Sequence, residues 1–156
     1  MHKKTQKSSV RIIGGTWRRR KLLFPNEQGL RPTGDRIRET LFNWLQPSIV
    51  DANCLDLFAG SGSLGLEAKS RGCASCTLIE KNKKAITCLR NTIEEFGASV
   101  DLINADAIKY LASIQFNKKF DIVFVDPPFN SNLHEAAIQI LEEKHLLNVD
   151  AKIYVE

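Results

Sequence analysis

The sequence predicts an α/β fold with a Rossmann-like architecture, in which a mostly parallel, twisted sheet is covered by helices on both faces. Three observations lead to this prediction. Short apolar runs typical of strands alternate with amphipathic helical segments after residue 50, a glycine-rich turn follows the first of these strands at residues 59–65, and acidic residues stand where several strands end. Because ligands bind such sheets at the carboxyl ends of the strands, these acids indicate a binding crevice.

The chain of 156 residues is expected to form one domain. Within it we expect a disordered basic tail at residues 1–9, a hairpin and a helix at residues 10–46, and the sheet with its helices at residues 50–156. No apolar run is long enough to cross a bilayer, and residues 1–9 lack the pattern of a secretory signal. These features indicate a cytoplasmic protein without a membrane partner.

The net charge of +4 is unevenly distributed along the chain. Residues 1–38 carry eleven Lys and Arg side chains against two acidic ones, so a basic arm precedes an acidic remainder. Such an arm is typical of proteins that bind a polyanion. For the hairpin predicted at residues 10–24, the alternative to RNA binding is that Trp17 packs against the domain and the arginines of the hairpin lie in solvent. We expect RNA contacts from the hairpin predicted at residues 10–24, through Arg11, Trp17, Arg18, Arg19, Arg20 and Lys21.

A helix is predicted at residues 35–45, with Thr33 as its cap and Pro47 as its end. Helical spacing places Ile37, Leu41 and either Trp44 or Leu45 on the buried stripe. Two arginines, Arg36 and Arg38, lie off this stripe and are expected to face RNA or solvent.

The first half of the predicted sheet resembles a nucleotide site. A strand at residues 53–58 leads into the glycine turn, where the backbone can approach a ligand closely. The next strand, at residues 76–80, ends on Glu80, about 20 residues beyond Gly60, which is the spacing at which a carboxylate reaches ribose hydroxyls. We therefore assign Glu80 as a ribose ligand.

The second half continues the alternation. Helices are predicted at residues 83–96 and 133–143, and a further helix after Asp106 is predicted to end at residue 114. Strands are predicted at residues 100–103, 120–126 and 152–155. Asp106 follows one of these strands beside the expected adenine pocket, where it could accept the adenine amine. An alternative role as a helix N-cap is open, and the two roles are compatible.

Residues 126–129, with the sequence Asp-Pro-Pro-Phe, end the apolar strand at residues 120–125. Neither proline has an N–H group, so this loop offers the Asp126 carboxylate and the carbonyls of Asp126 and Pro127 as acceptors. Phe129 adds an aromatic face. This combination suits a planar group bearing an amine, such as a nucleobase or the end of a glutamine. The alternative is a tight turn in which Asp126 caps the following helix.

The turn at residues 60–65 also matches the G-x-G-x-x-G pattern of dinucleotide enzymes. That pattern alone is weak, and the chain lacks a second mononucleotide-binding half. Because residues 126–129 also stand where the reacting group of a nicotinamide would lie, we favour S-adenosylmethionine as the ligand.

The four cysteines, Cys54, Cys73, Cys76 and Cys88, are expected to be buried or half-buried thiols, with a metal or redox role less favoured.

These residues resemble a known family, the bacterial small-subunit ribosomal RNA guanine-N2 methyltransferases of the RsmD type, which are class I S-adenosylmethionine-dependent enzymes. The resemblance lies in residues 11–15, 31–33, 35–45, 56–65 and 126–129, and it spans nearly the whole chain. The last two motifs are shared by many enzymes that methylate amines. The block from Arg31 to Leu45 is specific to this family.

The resemblance implies that residues 56–62 hold the methionine part of the cofactor, Glu80 its ribose, and Asp106 with Ala107 its adenine. No metal site is expected. The resemblance also implies that Asp126 and Pro127 hold the guanine amine while the aromatic ring at residue 129 stacks on a base turned out of the RNA. The expected cofactor residues are Arg31, Thr33, Asp56, Phe58, Ala59, Gly60, Ser61, Gly62, Glu80, Lys81, Asp106 and Ala107, and the expected catalytic residues are Asp126, Pro127, Pro128 and Phe129.

The expected substrate is ribosomal RNA within the small subunit or an assembly intermediate of it. Members of this family continue beyond the fifth strand, so the sheet of this chain is expected to lack the last strands. Two alternatives remain open, an amino-methyltransferase acting on DNA, tRNA or a protein glutamine, and a truncated, inactive RNA-binding module.

Overall fold

The computed structural model describes residues 6–27, 30, 32–115, 117–128 and 132–156. None of the helices in these ranges has the length and apolar character needed to cross a membrane. The elements in chain order are β1 (Lys7–Arg11), β2 (Lys21–Pro25), α1 (Asp35–Ile49), β3 (Asn53–Asp56), α2 (Gly65–Ser70), β4 (Ser75–Glu80), α3 (Lys83–Phe96), β5 (Asp101–Asn104), α4 (Ala107–Ser113), β6 (Phe120–Val125), α5 (Leu133–Glu143) and β7 (Leu147–Val155).

Five strands form one parallel sheet in the order β5-β4-β3-β6-β7. One apolar cluster joins the sheet to α1, α2, α3 and the hairpin, and a second joins its other face to α4 and α5. The predicted α/β architecture with helices on both faces is therefore confirmed. The strand order reverses direction between β3 and β6, and such a switch point opens a crevice at the carboxyl ends of the two strands.

Local signals placed several elements correctly. The helix α3 has the predicted bounds because Asn82 caps it, its side chain accepting a hydrogen bond from the Ala85 amide, and because Gly97 ends it with a left-handed φ of 60°. The helix α5 also matches its prediction, whereas β7 begins at Leu147, well before the predicted start at residue 152. All four cysteines are buried free thiols, as expected.

The hairpin pairs β1 with β2 in antiparallel register, from Lys7 opposite Pro25 to Arg11 opposite Lys21. The strand β1 thus includes residues 7–9, which had been assigned to a disordered tail. That assignment was wrong for these residues because their backbone groups pair with β2. The Gln6 carbonyl also accepts a hydrogen bond of 3.1 Å from the Asn26 amide, and residues 1–5 of the predicted tail lie outside the described residues.

The helix α1 begins at Asp35 as predicted, but its predicted cap and its predicted end were wrong. The N-cap is Gly34, and the Thr33 side chain makes its hydrogen bonds elsewhere. At the other end the helix passes through Pro47 and continues to Ile49. A proline removes one backbone hydrogen bond from a helix. The side chain of Ile49, which is only 1% exposed in the core, offsets that loss.

The buried stripe of α1 also differs from the prediction. Leu41 and Leu45 are buried as expected, but Ile37 and Trp44 are 48% and 77% exposed. Arg38, which was expected to face RNA or solvent, is completely buried. The stripe therefore runs through Arg38, Leu41, Phe42, Leu45 and Ile49, with a charged residue at its first position.

Candidate active site

The crevice at the switch point is a cavity of about 1070 Å³. Its walls come from the turn after β3, the end of β4, the start of α4 and the loop after β6. Asp126, Pro127 and Pro128 thus lie around one cavity with the predicted cofactor residues of these segments other than Gly62. Sequence reasoning had placed them together because they follow neighbouring parallel strands.

Asp56 closes the bottom of this cavity at the end of β3. Its Oδ2 accepts a hydrogen bond of 3.0 Å from the Gly65 amide, whereas its buried Oδ1 has no hydrogen-bond partner among the described residues. Burial raises the pKa of Asp56 to about 7; the Gly65 amide opposes this effect, and the negative charge of Asp126 adds to it. A cationic ligand in the cavity would therefore restore the ionised form.

The glycine turn brings backbone close to the cavity. Gly60 and Gly62 have φ values of 56° and 84°, a region that side chains disfavour. A Cβ atom on Gly65 would lie 2.2 Å from Leu78 Cδ2, so a side chain at this position would displace the buried Leu78 side chain from between α2 and the sheet. Together with the orphaned oxygen of Asp56, this narrow backbone cradle fits a ligand of the kind predicted.

Glu80 lies at the cavity wall, 8% exposed at the end of β4. Its two carboxylate oxygens accept hydrogen bonds from the amides of Gly60, at 2.9 Å, and Asn82, at 2.7 Å. The carboxylate is therefore held firmly against the glycine turn. Each oxygen keeps further lone pairs for a hydroxyl donor, so the assignment as a ribose ligand stays a prediction.

Asp106 caps α4, with its Oδ1 accepting a hydrogen bond of 3.1 Å from the Lys109 amide. The N-cap role left open from the sequence is thus present. Asp106, Ala107 and Lys81 also line the cavity, so their predicted contacts with the cofactor are compatible with the structure.

Asp126 follows β6 directly and is half-buried at the mouth of the cavity. Its Oδ2 accepts a hydrogen bond of 3.1 Å from the Thr33 hydroxyl. Burial and, secondly, the charge of Glu156 raise the pKa of Asp126 to about 6, while Thr33 and His134 lower it. The alternative in which Asp126 caps the next helix is not observed, because the N-cap of α5 is Asn132.

Pro127 and Pro128 line the cavity beside Asp126. The other two predicted site residues, Phe129 and Arg31, lie outside the described residues, so their roles stay predictions. Glu156, which sequence reasoning did not select, joins the same wall and accepts a hydrogen bond of 2.8 Å from the Tyr154 hydroxyl. The sequence did contain a signal for Glu156, namely an acidic residue directly after a predicted strand.

The predicted RNA-binding residues divide into two groups. Trp17 packs on Phe96 with ring centroids 5.2 Å apart, and the guanidinium of Arg20 lies 4.1 Å from the centroid of the same ring. For Trp17 the structure thus shows the packed alternative. The basic side chains that remain exposed are Arg11, Arg18, Arg19 and Lys21.

Sequence reasoning missed a buried charge network behind the site. The carboxylate of Glu67, completely buried on α2, accepts hydrogen bonds from the amides of Ile13, at 2.8 Å, and Gly14, at 3.1 Å. It also pairs with Arg38 at 3.4 Å and Arg71 at 3.3 Å. The network therefore joins the hairpin, α1 and α2. An arginine in line with the apolar positions of α1 was its only signal in the sequence.

Comparison with known proteins identifies the family. A family model described as "Conserved hypothetical protein 95" matches residues 10–156. The chain belongs to this family. Among its relatives, ribosomal RNA small subunit methyltransferase D of Escherichia coli K12 is 52% identical over 148 residues, which cover 94% of this chain and 74% of the relative. The protein of the same name from Haemophilus influenzae is 48% identical over 153 residues, covering 96% of this chain and 79% of the relative.

Solved structures agree with this family assignment. A putative methyltransferase from Escherichia coli superposes with a TM-score of 0.86 at 51% identity, covering 95% of this chain and 81% of that one. A Thermus thermophilus 16S rRNA N2 G1207 methyltransferase in complex with AdoMet and guanosine shares the fold, with a TM-score of 0.66 at 20% identity, covering 92% of this chain and 39% of that one. The predicted Rossmann-like methyltransferase fold and the resemblance to the RsmD type are confirmed.

Proposed function

We propose that this family member transfers a methyl group from S-adenosylmethionine to the exocyclic N2 amine of a guanine in small-subunit ribosomal RNA. The observation that carries the proposal is the Asp126 carboxylate, followed by two prolines, at the mouth of the cavity that the glycine turn closes. The names of the relatives support ribosomal RNA as the substrate.

The cofactor would be held by the residues that line the cavity. The glycine turn and Asp56 suit the methionine part, Glu80 the ribose hydroxyls, and Asp106 with Ala107 the adenine. When bound, S-adenosylmethionine supplies an electrophilic methyl group on a sulfonium centre. The sulfonium and the amino group of the methionine part are both positively charged, and the buried carboxyl of Asp56 can balance this charge.

The protein's own contribution is to prepare the amine. The lone pair of a guanine amine is delocalised into the ring, so the amine is a poor nucleophile. The Asp126 carboxylate and the Pro127 carbonyl would accept hydrogen bonds from its two N–H groups, which favours a pyramidal nitrogen and stabilises the positive charge that develops on it. As the methyl group is transferred, one of these protons would pass to the Asp126 carboxylate, so that the product is the neutral N2-methylamine. Holding that nitrogen in a fixed position supplies a further part of the acceleration.

A second carboxylate supports guanine over adenine. Glu156 lies across Thr33 from Asp126, with both carboxylates 3.1 Å from the same hydroxyl oxygen. Guanine presents its N1–H donor next to its amine, whereas adenine presents an N1 lone pair next to its amine. Two adjacent carboxylates attract the first edge and repel the second.

The proposal is tested by incubating the protein with labelled S-adenosylmethionine and small ribosomal subunits that lack the modification, with matched naked RNA and DNA, followed by nucleoside analysis. Labelled N2-methylguanine from subunits or their RNA is the expected result. Label in adenine, in DNA or in protein glutamine would replace the proposed substrate by one of the other amines. Absence of label despite cofactor binding would contradict the enzymatic proposal.

Replacing Arg18 and Arg19 together by Ala is expected to weaken RNA binding, because both exposed side chains are available to phosphates. The slope of log affinity against log salt should fall by about 1 for each lost phosphate contact. Filter binding at several salt concentrations measures both quantities.

The matched control replaces Lys118 and Lys119, two exposed lysines that directly precede β6 at the amino end of that strand. Equal losses in the two double variants would show that binding follows total charge and that the hairpin has no special role.

A further inference from the structure

Thr33 occupies an unusual place for a hydroxyl residue. It is 5% exposed, immediately before α1, and its side chain reaches across to the loop after β6 instead of capping its own helix. The Thr33 hydroxyl is 3.1 Å from Asp126 Oδ2. This is the hydrogen bond that the structure shows for the carboxylate proposed to receive the amine.

The backbone of Thr33 is held as well. Arg38 donates from Nε to the Thr33 carbonyl at 3.0 Å and from Nη1 to the Arg11 carbonyl at 3.0 Å. Its guanidinium also pairs with Glu67 and with Asp35. Because Arg38 is completely buried and the guanidinium is planar, these bonds fix Thr33 relative to the first hairpin strand.

We propose that Thr33 is a positioning residue for Asp126, and that Arg38 holds Thr33 in place while anchoring the same loop to the basic hairpin. The Thr33 hydroxyl orients the carboxylate and stabilises its ionised form. The buried guanidinium of Arg38 sets the distance between the basic hairpin, which is expected to face RNA, and the Asp126 carboxylate, which is proposed to accept the amine. This inference rests on the proposed function only in assuming that Asp126 accepts the amine during methyl transfer.

The Thr33 hydroxyl has one proton and two carboxylate acceptors within reach, Asp126 and Glu156. Thr33 Oγ1 is also 3.1 Å from Glu156 Oε2, and one hydroxyl can donate to only one acceptor at a time. The Tyr154 hydroxyl already donates to the same oxygen of Glu156 at 2.8 Å. Glu156 therefore accepts a hydrogen bond without Thr33, and we assign the Thr33 proton to Asp126, whose pKa this hydrogen bond lowers.

Other charged groups face Asp126 from the neighbouring elements. Glu156 at the end of β7 raises the pKa of Asp126, and His134 on α5 lowers it. Asp56 at the end of β3 and the Tyr154 hydroxyl on β7 are themselves affected by the Asp126 charge. The contribution of Thr33 must therefore be separated from these groups by substitution.

The deciding experiment measures the pKa of the Asp126 carboxyl directly, by carbon-13 NMR of the protein without substrate. Thr33→Val keeps the shape of the side chain and removes the donor, so the pKa should rise from about 6 by roughly one pH unit. Thr33→Ser retains a hydroxyl and should leave the pKa close to that of the wild type.

Methyl transfer supplies the second readout. In Thr33→Val the acid limb of the pH profile of kcat should move upward with the pKa, and kcat should remain roughly tenfold lower at high pH because the carboxylate is no longer oriented. The KM for RNA should change less than kcat. Thr33→Ser should recover most of kcat.

Two outcomes would overturn the inference. One is an unchanged pKa of Asp126 in Thr33→Val; the other is a loss of stability with no change in the pH profile, which is what a purely structural residue would give. Glu156→Gln serves as the control for the method, since it should shift the pKa of Asp126 downward. A wild type that transfers no methyl group to RNA would contradict the proposed function and leave the NMR result valid.

Discussion

Asp126→Asn is expected to lower kcat by roughly two to four orders of magnitude, because the amide cannot carry the negative charge that stabilises a developing cation on the amine. Cofactor affinity should change little, since the glycine turn and Glu80 are untouched. Single-turnover methyl transfer with saturating cofactor measures the loss, and calorimetry measures cofactor binding.

The same substitution should not destabilise the fold. The pKa of Asp126 is raised from its ordinary value of 3.8 to about 6, so the folded state binds this proton more tightly than the unfolded state does. The carboxyl therefore contributes stability below pH 3.8 that is lost as the pH rises through about 6. Above that pH, Asp126→Asn should unfold no earlier than the wild type in urea.

A matched control is Glu135→Gln, which removes a carboxylate from the exposed first turn of α5 near the same edge of the sheet. It should retain wild-type kcat. If Asp126→Asn kept more than about a tenth of the wild-type kcat, Asp126 would not be the main acceptor of the amine.

Much of this site was predictable because its signals are local. Asp56 and Glu80 are the last residues of β3 and β4, and Asp106 and Asp126 follow β5 and β6. Each of these strands was recognised from its apolar pattern. Parallel strands bring their carboxyl ends to one edge, so their proximity follows from the topology. The cap at Asn82 and the stop at Gly97 are local in the same way.

The errors concern side chains whose partners are distant in sequence. Thr33 is of a residue type that commonly caps helices, yet its hydroxyl forms a hydrogen bond with Asp126, which is 93 positions away. Arg38 is buried because its partner Glu67 lies 29 positions away, on another helix. Trp17 packs on Phe96 for a similar reason. Propensity and periodicity contain no information about such partners.

Glu67→Ala is expected to lower the free energy of unfolding by roughly 3–5 kcal/mol, which is the usual cost of breaking a buried ion pair. The carboxylate is completely buried and serves both Arg38 and Arg71, as well as the amides of Ile13 and Gly14. Removing it leaves the guanidinium of Arg38 without its buried counter-charge. Urea denaturation followed by circular dichroism measures the change.

The matched control is Glu95→Ala, which breaks an exposed pair with Arg20, the Glu95 side chain being 71% exposed. Such pairs contribute about 0–1 kcal/mol. If Glu67→Ala and Glu95→Ala cost the same, the buried network would have no particular role in stability.

A double substitution tests how much of the effect of Glu67→Ala comes from the unpaired charge of Arg38. Replacing both partners of a buried ion pair by apolar residues often restores stability, because no charge is left unpaired. Arg38→Met with Glu67→Leu should nevertheless recover only part of the loss, because the amides of Ile13 and Gly14 still lack their acceptor. Full recovery would mean that the carboxylate only balances the arginine. Partial recovery would mean that the other bonds of the network also contribute to stability. These are the bonds of the Glu67 carboxylate to the hairpin amides and to Arg71, and the bonds of the Arg38 guanidinium to backbone carbonyls.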